Sequence, residues 1–391
     1  MVRFLAVTLL FAFTLGQMPS APSPQAALER LFTTRPVQAA WFTPSFLQEV
    51  PLTQVEQVLS TLEAQLGRYL GVQPEGDGFV VSFEKGEVPT RIALDSEGRI
   101  AALRFLAPRP RFTRLEQGLA AFRELPGQVS LLVMRDGQVL AALNPDKPLA
   151  VGSSFKLAIL NALWEQIKTG RRSWKEVAEL RSEWKSLPTG VLQDWPEGAP
   201  ITLYTLAALM ISLSDNTASD ALLSVVGREE TERWSGRNRP LLSTREAFAL
   251  KNPENRRLLE RYLQADEAGR RALLRELDQA PLPPPALFSG GPVAPEVEWF
   301  FNARELCRLI EGTAELPFMA INPGPVQPKS WRRVAYKGGS EPGVINLTAL
   351  LLSNQGHQNC VVATWNDKAA LDEGRFVSLY SGILEVLANL Q

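Results

Sequence analysis

Strand-like alternation occurs in two places that lie far apart in the second part of this 391-residue chain. Residues 128–134 alternate, Arg135-Asp136-Gly137-Gln138 reads as a hairpin turn, and residues 139–143 read as the returning strand. Three further strand-like runs come much later, at 333–338, 343–352 and 358–365, and a helical pattern follows over about 374–390. Between the two groups helical spacing dominates, up to about residue 316, and a Pro/Gly-rich loop spans 281–295. Two isolated strands bury too little to stand alone, so early and late strands must meet in one sheet. The expected fold is α+β: an antiparallel five-stranded sheet with flanking helices and an inserted all-helical region. A site is expected in the crevice between sheet and insert.

The chain before this unit reads differently. Residues 24–32 and 53–66 have helical spacing, with Thr53 as cap and Gly67 as stop. Runs at 68–72, 78–83, 90–95 and 99–105 alternate between Gly-containing turns, as in an antiparallel meander. Residues 22–108 therefore read as a small separate α+β domain, with Pro108-Arg109-Pro110-Arg111 as linker and 113–391 as the second domain. At the start, Met1-Val2-Arg3 precedes an apolar segment, 4–16, too short for an ordinary membrane span. Residues 1–21 are expected to be a signal peptide, the product exported to the periplasm or beyond, with no other membrane span.

Composition removes several kinds of chemistry. With 41 basic and 42 acidic residues the net charge is −1, so no nucleic-acid partner is expected. One histidine and two cysteines, widely spread, build none of the usual metal sites, and no cofactor is expected. Cys307 and Cys360 both read as buried, and a bridge between them is left open. The histidine, His357, sits in the polar turn Asn354-Gln355-Gly356-His357-Gln358-Asn359 and reads as an exposed turn residue. A serine nucleophile in this chain therefore needs lysine as its base.

Leu149-Ala150-Val151-Gly152-Ser153-Ser154-Phe155-Lys156-Leu157-Ala158-Ile159-Leu160 offers that pair. Ser153 and Lys156 are three apart and share a face of the expected helix. Ser153 lies at the helix N-terminus, where free N–H groups favour developing negative charge. Lys156 lies one turn deeper among apolar residues, and burial lowers an amine's affinity for its proton. Two other Ser-x-x-Lys strings, beginning at Ser82 and Ser182, lack this context: one is in a strand-like run and the other has no apolar helix after it. Leu213-Ser214-Asp215-Asn216-Thr217 falls at a turn between two helix-like runs, and Tyr336-Lys337-Gly338-Gly339-Ser340 closes a strand. Taken singly these are a helix cap and a glycine turn.

In order and location, Ser153-Ser154-Phe155-Lys156, Ser214-Asp215-Asn216 and Lys337-Gly338-Gly339 resemble the three motifs of the penicillin-recognising serine hydrolases, and most nearly the class A β-lactamases. The resemblance spans about 113–391. It implies that Ser153 attacks a carbonyl and that Lys156 takes its proton. Ser214 relays a proton to the leaving group, and Asn216 holds the substrate amide. Lys337 supplies positive charge to Ser214 and to a substrate carboxylate. Gly338, Gly339 and Ser340 line the substrate, with the N–H groups of Ser153 and Ser340 as oxyanion hole. The early domain resembles cystatin- or NTF2-like modules.

Two departures stand out. Gly338 replaces the family's threonine, shifting carboxylate recognition toward Lys337 and Ser340. No Glu-x-x-Leu-Asn string follows Asn216; the nearest is Glu260-Arg261-Tyr262-Leu263-Gln264, inside 252–280, a charged run rich in Arg, Glu and Leu at helical spacing that reads as a solvated helix face. Without that carboxylate, acylation is expected to outpace hydrolysis. The implied activity is β-lactamase-like acyl transfer on a β-lactam or related amide or ester, with a β-lactam-like or peptidoglycan-like small molecule as partner. A D-Ala-D-Ala carboxypeptidase or esterase, and a sensor or wall-binding module that is acylated without turnover, stay open.

Overall fold

A computed structural model describes residues 21–106 and 108–390. The expected signal segment lies outside the described residues, apart from Ala21. The chain separates into two compact units, divided between Pro108 and Arg109. Among the described residues no helix is long and apolar enough to cross a membrane.

In the first unit, α1 (Pro24–Thr33) and α2 (Leu52–Leu66) pack on a meander of β1 (Tyr69–Glu75), β2 (Gly78–Phe83), β3 (Gly86–Leu94) and β4 (Ile100–Phe105). The apolar stripe of α2, Val55, Leu59, Leu62 and Leu66, meets Val81, Phe83 and Ile100 in a core of its own. Thr53 is not the cap: α2 begins a residue earlier, with Pro51 at the N-cap and no side-chain bond there. Proline's fixed φ suits this place and its missing N–H costs nothing. Strand β3 also runs through the expected gap, starting at Gly86, because its pairing with β2 extends to the turn.

In the second unit, α3 (Leu115–Arg123) precedes the hairpin of β5 (Gln128–Arg135) and β6 (Gln138–Leu143). The chain then enters the helical region: α4 (Lys156–Lys168), α5 (Leu203–Ser212), α6 (Asn216–Val226), α7 (Thr244–Lys251), α8 (Arg256–Gln264), α9 (Glu267–Gln279) and α10 (Ala303–Glu311). It returns as β7 (Arg333–Glu341), β8 (Val344–Leu352) and β9 (Gln358–Asn366), and ends in α11 (Glu373–Asn389). The sheet is antiparallel in the order β7-β8-β9-β5-β6, so β9 from the late group pairs with β5 from the early one. The split-sheet expectation holds.

The strands are apolar on both faces, which is why the sheet carries two cores. Leu132, Ala335, Leu350, Cys360 and Val362 face the helical region. Their alternate neighbours Val133, Val334, Leu351, Val361 and Ala363 face α3 and α11. The charged run is a solvated pair of helices, α8 and α9, tied to each other at the surface by Arg261–Glu276, with Arg256–Glu260 one turn apart within α8. Cys307 on α10 and Cys360 on β9 are bridged, pinning the insert to the sheet across 53 residues of chain.

Replacing both, Cys307→Ala with Cys360→Ala, should cost about 2–4 kcal/mol, because the unfolded chain regains the entropy of an open loop. Urea unfolding of the double variant against the oxidised wild type measures it.

Candidate active site

The three motifs meet in one cleft of about 730 Å³. Its lining includes Ser153, Ser214, Asn216, Lys337, Gly339 and Ser340. Each is brought there by a local feature of its own.

Ser153 lies in a tight 3-10 turn, Gly152–Phe155, and α4 proper begins at Lys156. The serine therefore stands just before the helix, not within its first α turn. Gly152 has φ +49°, which a side chain resists, and a Cβ there would sit 3.1 Å from the Ser340 nitrogen. The reciprocal contact is tighter. A Cβ on Gly339 would stand 2.2 Å from the Val151 oxygen and 2.5 Å from the Ser153 nitrogen. Two glycines thus let strand β7 lie directly on the nucleophile turn, bringing the N–H groups of Ser153 and Ser340 into one neighbourhood.

Ser214 also has positive φ, +56°, without being glycine. The strain is held by its successor. Asp215 caps α6 by accepting from the Ala218 N–H at 2.8 Å, and it accepts from Val191 and Leu192 at 2.7 and 3.0 Å. With a carboxylate so anchored, the Ser214 side chain is turned toward the cleft.

Lys156 is fully buried. Its Nζ donates to the Ser214 carbonyl at 2.5 Å, to Ser214 Oγ at 3.2 Å and to Asn216 Oδ1 at 2.6 Å. Among the described residues no carboxylate bonds to it. Burial lowers its pKa from 10.5 to about 7, against the partial opposition of Asp220, Asp215 and Glu341. Lys337 approaches Ser214 from the sheet side, donating to Ser214 Oγ at 3.0 Å and to the Gly338 carbonyl. Burial and then the neighbouring Lys156 hold its pKa well below the ordinary lysine value. Ser214 Oγ is thus shared by two amines, while Ser153 Oγ has no hydrogen-bond partner among the described residues. The sequence pattern anticipates a Ser153–Lys156 pair; here the amine is directed to Ser214 and Asn216. A buried cation without a carboxylate needs several oxygen acceptors, and that turn offers three.

Asn216 is engaged at both ends of its amide, accepting from Lys156 and donating to the Leu187 carbonyl at 3.0 Å. One turn on along α6, Asp220 accepts from Thr244 N, Arg245 N and Thr244 Oγ1, which ties α6 to α7. Burial raises its pKa to about 7.

Glu260 is not brought to the site. It is exposed and paired with Arg256 on α8. The carboxylates that do line the cleft, among the described residues, are Glu341 and Glu373. Glu341 is bound to buried Lys251 at 2.5 Å, and Lys251 also holds Glu298. Burial and then Glu298 push Glu341 up to about 7. His357 is likewise remote from the cleft lining; it bonds Asp136 across the far hairpin end at 2.7 Å.

The sequence reading missed the walls. Thr244 and Phe248 reach the cleft from α7, Pro285 and Phe288 from the Pro-rich loop, and Trp299 from the stretch that pairs back to the nucleophile strand. Trp299 stacks flat on Phe155 with centroids 3.9 Å apart, and its Nε1 donates to the Leu242 carbonyl. Nothing in their local patterns distinguishes them from core residues.

With the geometry established, similarity to known proteins can be stated. Residues 112–267 match the family model described as the Beta-lactamase enzyme family. No curated protein matches the chain. Among solved structures it is similar to the β-lactamase from Sphaerobacter thermophilus DSM 20745, at 18% identity over 71% of this chain and 97% of that chain, TM-score 0.51. It is also similar to PBP-A, at 16% identity over 70% and 95%, TM-score 0.48. A third is the β-lactamase from Chitinophaga pinensis DSM 2588, at 15% identity over 71% and 98%, TM-score 0.47. The first of these shows the fold to be of the β-lactamase type.

Gly339→Ala should destabilise the protein by about 1–3 kcal/mol, because the methyl meets backbone atoms of the Val151–Ser154 turn that have nowhere to go. Gly137→Ala, in the open hairpin turn at φ +79°, is the control for conformational strain without a clash. Thermal unfolding of both separates the two effects.

Proposed function

We propose that this protein is a serine acyl-transfer enzyme of β-lactamase type, acylated at Ser153 by a β-lactam or a related amide or ester. The observation that carries the reading is the hydrogen-bonded group of Lys156, Ser214, Asn216 and Lys337, gathered in the cleft that Ser153 also lines. A lysine buried to a pKa of about 7 spends half its time neutral at that pH, with a lone pair to offer.

In this reading Ser153 Oγ attacks the carbonyl and its proton passes to Lys156 Nζ. The developing oxyanion is met by the N–H groups of Ser153 and Ser340, which the two glycines draw together. Ser214 Oγ, bridged by both amines, delivers a proton to the leaving nitrogen or oxygen and is resupplied from Lys156. Lys337 draws the substrate carboxylate, with Gly338, Gly339 and Ser340 along its edge, and Asn216 orients the amide.

The second step supports a slower outcome. Hydrolysis of the ester needs a base for water; Glu341 is committed to Lys251 and Asp220 to three donors of α7, while Glu373 lines the cleft from the start of α11, which packs on the opposite face of the sheet from α4. This favours a long-lived acyl-enzyme, so the sensor or wall-binding reading, acylated without turnover, stands beside the hydrolase. A D-Ala-D-Ala carboxypeptidase or esterase would use the same serine. The product is proposed to act outside the cytoplasm on β-lactam-like or peptidoglycan-like molecules. The first unit, residues 22–108, is proposed as a cystatin- or NTF2-like scaffold or docking module.

Incubation with a fluorescent penicillin should label Ser153 one-to-one, by intact mass and peptide mapping, with a chromogenic cephalosporin hydrolysed slowly or not at all. Ser153→Ala and Lys156→Ala should both remain folded and unlabelled; labelling that persists in Lys156→Ala rules lysine out as base. The acylation rate should climb as pH rises through about 7 and then level off, because the lysine must lose its proton to act. A rate that is flat over that range contradicts the buried-amine mechanism.

A further inference from the structure

Gly338 is where the chain departs from the pattern it otherwise follows, and the structure shows what fills the place. A Cβ on Gly338 would stand 2.4 Å from Tyr336 Oη and 3.1 Å from Tyr336 Cζ. The phenol oxygen therefore occupies the space a side chain at 338 would need. A second glycine makes room for the same ring: a Cβ on Gly324, φ +57°, would come within 2.3 Å of the ring carbons. Two glycines, from different segments, leave the room that this ring occupies, and a side chain at either position would displace it.

That hydroxyl is available. Tyr336 is buried for most of its surface, and both it and Gly338 line the cleft beside Lys337 and Ser340. Its Oη has no hydrogen-bond partner among the described residues, yet it is not sealed from the cavity. Burial raises its pKa, so the group stays a neutral O–H donor throughout the working range. Its successor on the strand, Lys337, donates to Ser214 Oγ and to the Gly338 carbonyl, with no carboxylate among its partners in the described residues. The two side chains leave the strand on opposite faces, yet both close on Gly338, the phenol oxygen at its side-chain position and the amine on its carbonyl, so a carboxylate seated at Gly338 meets two donors.

We propose that Tyr336 Oη is a substrate-binding group: it donates a hydrogen bond to the carboxylate that Lys337 attracts, in the space left open by Gly338. No bond is made or broken in this step. It rests on the acyl-transfer reading only for its kinetic arm.

The test compares two probes, benzylpenicillin, which carries the carboxylate, and its methyl ester, which does not. In the wild type the second-order acylation rate should favour the acid. Tyr336→Phe should lower that preference about 10–100-fold, the usual effect of losing a hydrogen bond to a charged group, with the ester rate moving much less. Adding Gly338→Thr to Tyr336→Phe returns a hydroxyl to the same edge and should recover part of the preference. Should Tyr336→Phe not fold, Gly338→Ala, whose methyl displaces Oη, must show the same loss. An unchanged preference in a folded Tyr336→Phe or Gly338→Ala variant overturns the proposal. A second arm does not depend on acylation. Calorimetric titration of Ser153→Ala should show the acid binding more tightly than the ester, and Ser153→Ala with Tyr336→Phe should lose the difference. Absence of acylation by either probe defeats the serine reading alone. Equal binding of acid and ester to Ser153→Ala defeats the tyrosine assignment, whatever the serine does.

Discussion

The contact on which the site depends is backbone against backbone. Strand β7 lies so close to the Val151–Ser154 turn that neither Gly339 nor Gly152 has room for a side chain. Hydrophobic packing alone could not hold two polar chain segments at this distance, since each carries N–H and C=O groups that need partners. What holds them is the sheet: β7 is registered along its whole length on β8, from Arg333 opposite Leu352 to Glu341 opposite Val344. A one-residue slip would turn Lys337 to the other face and put Gly338 where Gly339 must be. The register of the sheet and the composition of the cleft are therefore one constraint.

Around that contact the molecule sets two buried amines, and the surrounding hydrogen bonds follow from the difficulty of burying charge. Lys156 and Lys337 are buried with no carboxylate partner among the described residues, so both are held below ordinary lysine behaviour, Lys337 also by the nearby Lys156. The same fold treats Lys251 in the opposite way. Equally buried, it sits between Glu298 and Glu341, which hold its pKa above the ordinary value despite burial. A lysine meant only to bind structure is given acids; the lysines in the cleft are given hydroxyls, carbonyls and an amide. That contrast, within one chain, is the strongest electrostatic argument that the cleft is a place for chemistry.

Much of this was legible in the chain. Alternation at 128–143 and 333–365 is visible without a structure, and antiparallel pairing between the two groups follows because isolated hairpins cannot bury their faces. The three motifs were readable because each sits at a structural boundary: turn before helix, turn between helices, end of strand. The errors were local. The local pattern offers Thr53 as a cap where Pro51 serves, and an α-helix start at Ser153 where a 3-10 turn stands. Both are one- or two-residue matters of how a helix begins, which composition constrains weakly.

What the sequence by itself determined is the list of parts and their order: one histidine too exposed to act as a buried base, a serine and a lysine three apart, a glycine where a threonine was expected. What only the tertiary structure decided is which groups touch. Lys156 turns to Ser214 and Asn216, Glu260 stays on the surface with Arg256, and the Tyr336 ring comes to rest between Gly324 and Gly338. The reason is physical. Spacing along a chain sets the face on which a side chain starts, but its partners come from segments up to two hundred residues away, chosen by burial and by sheet register.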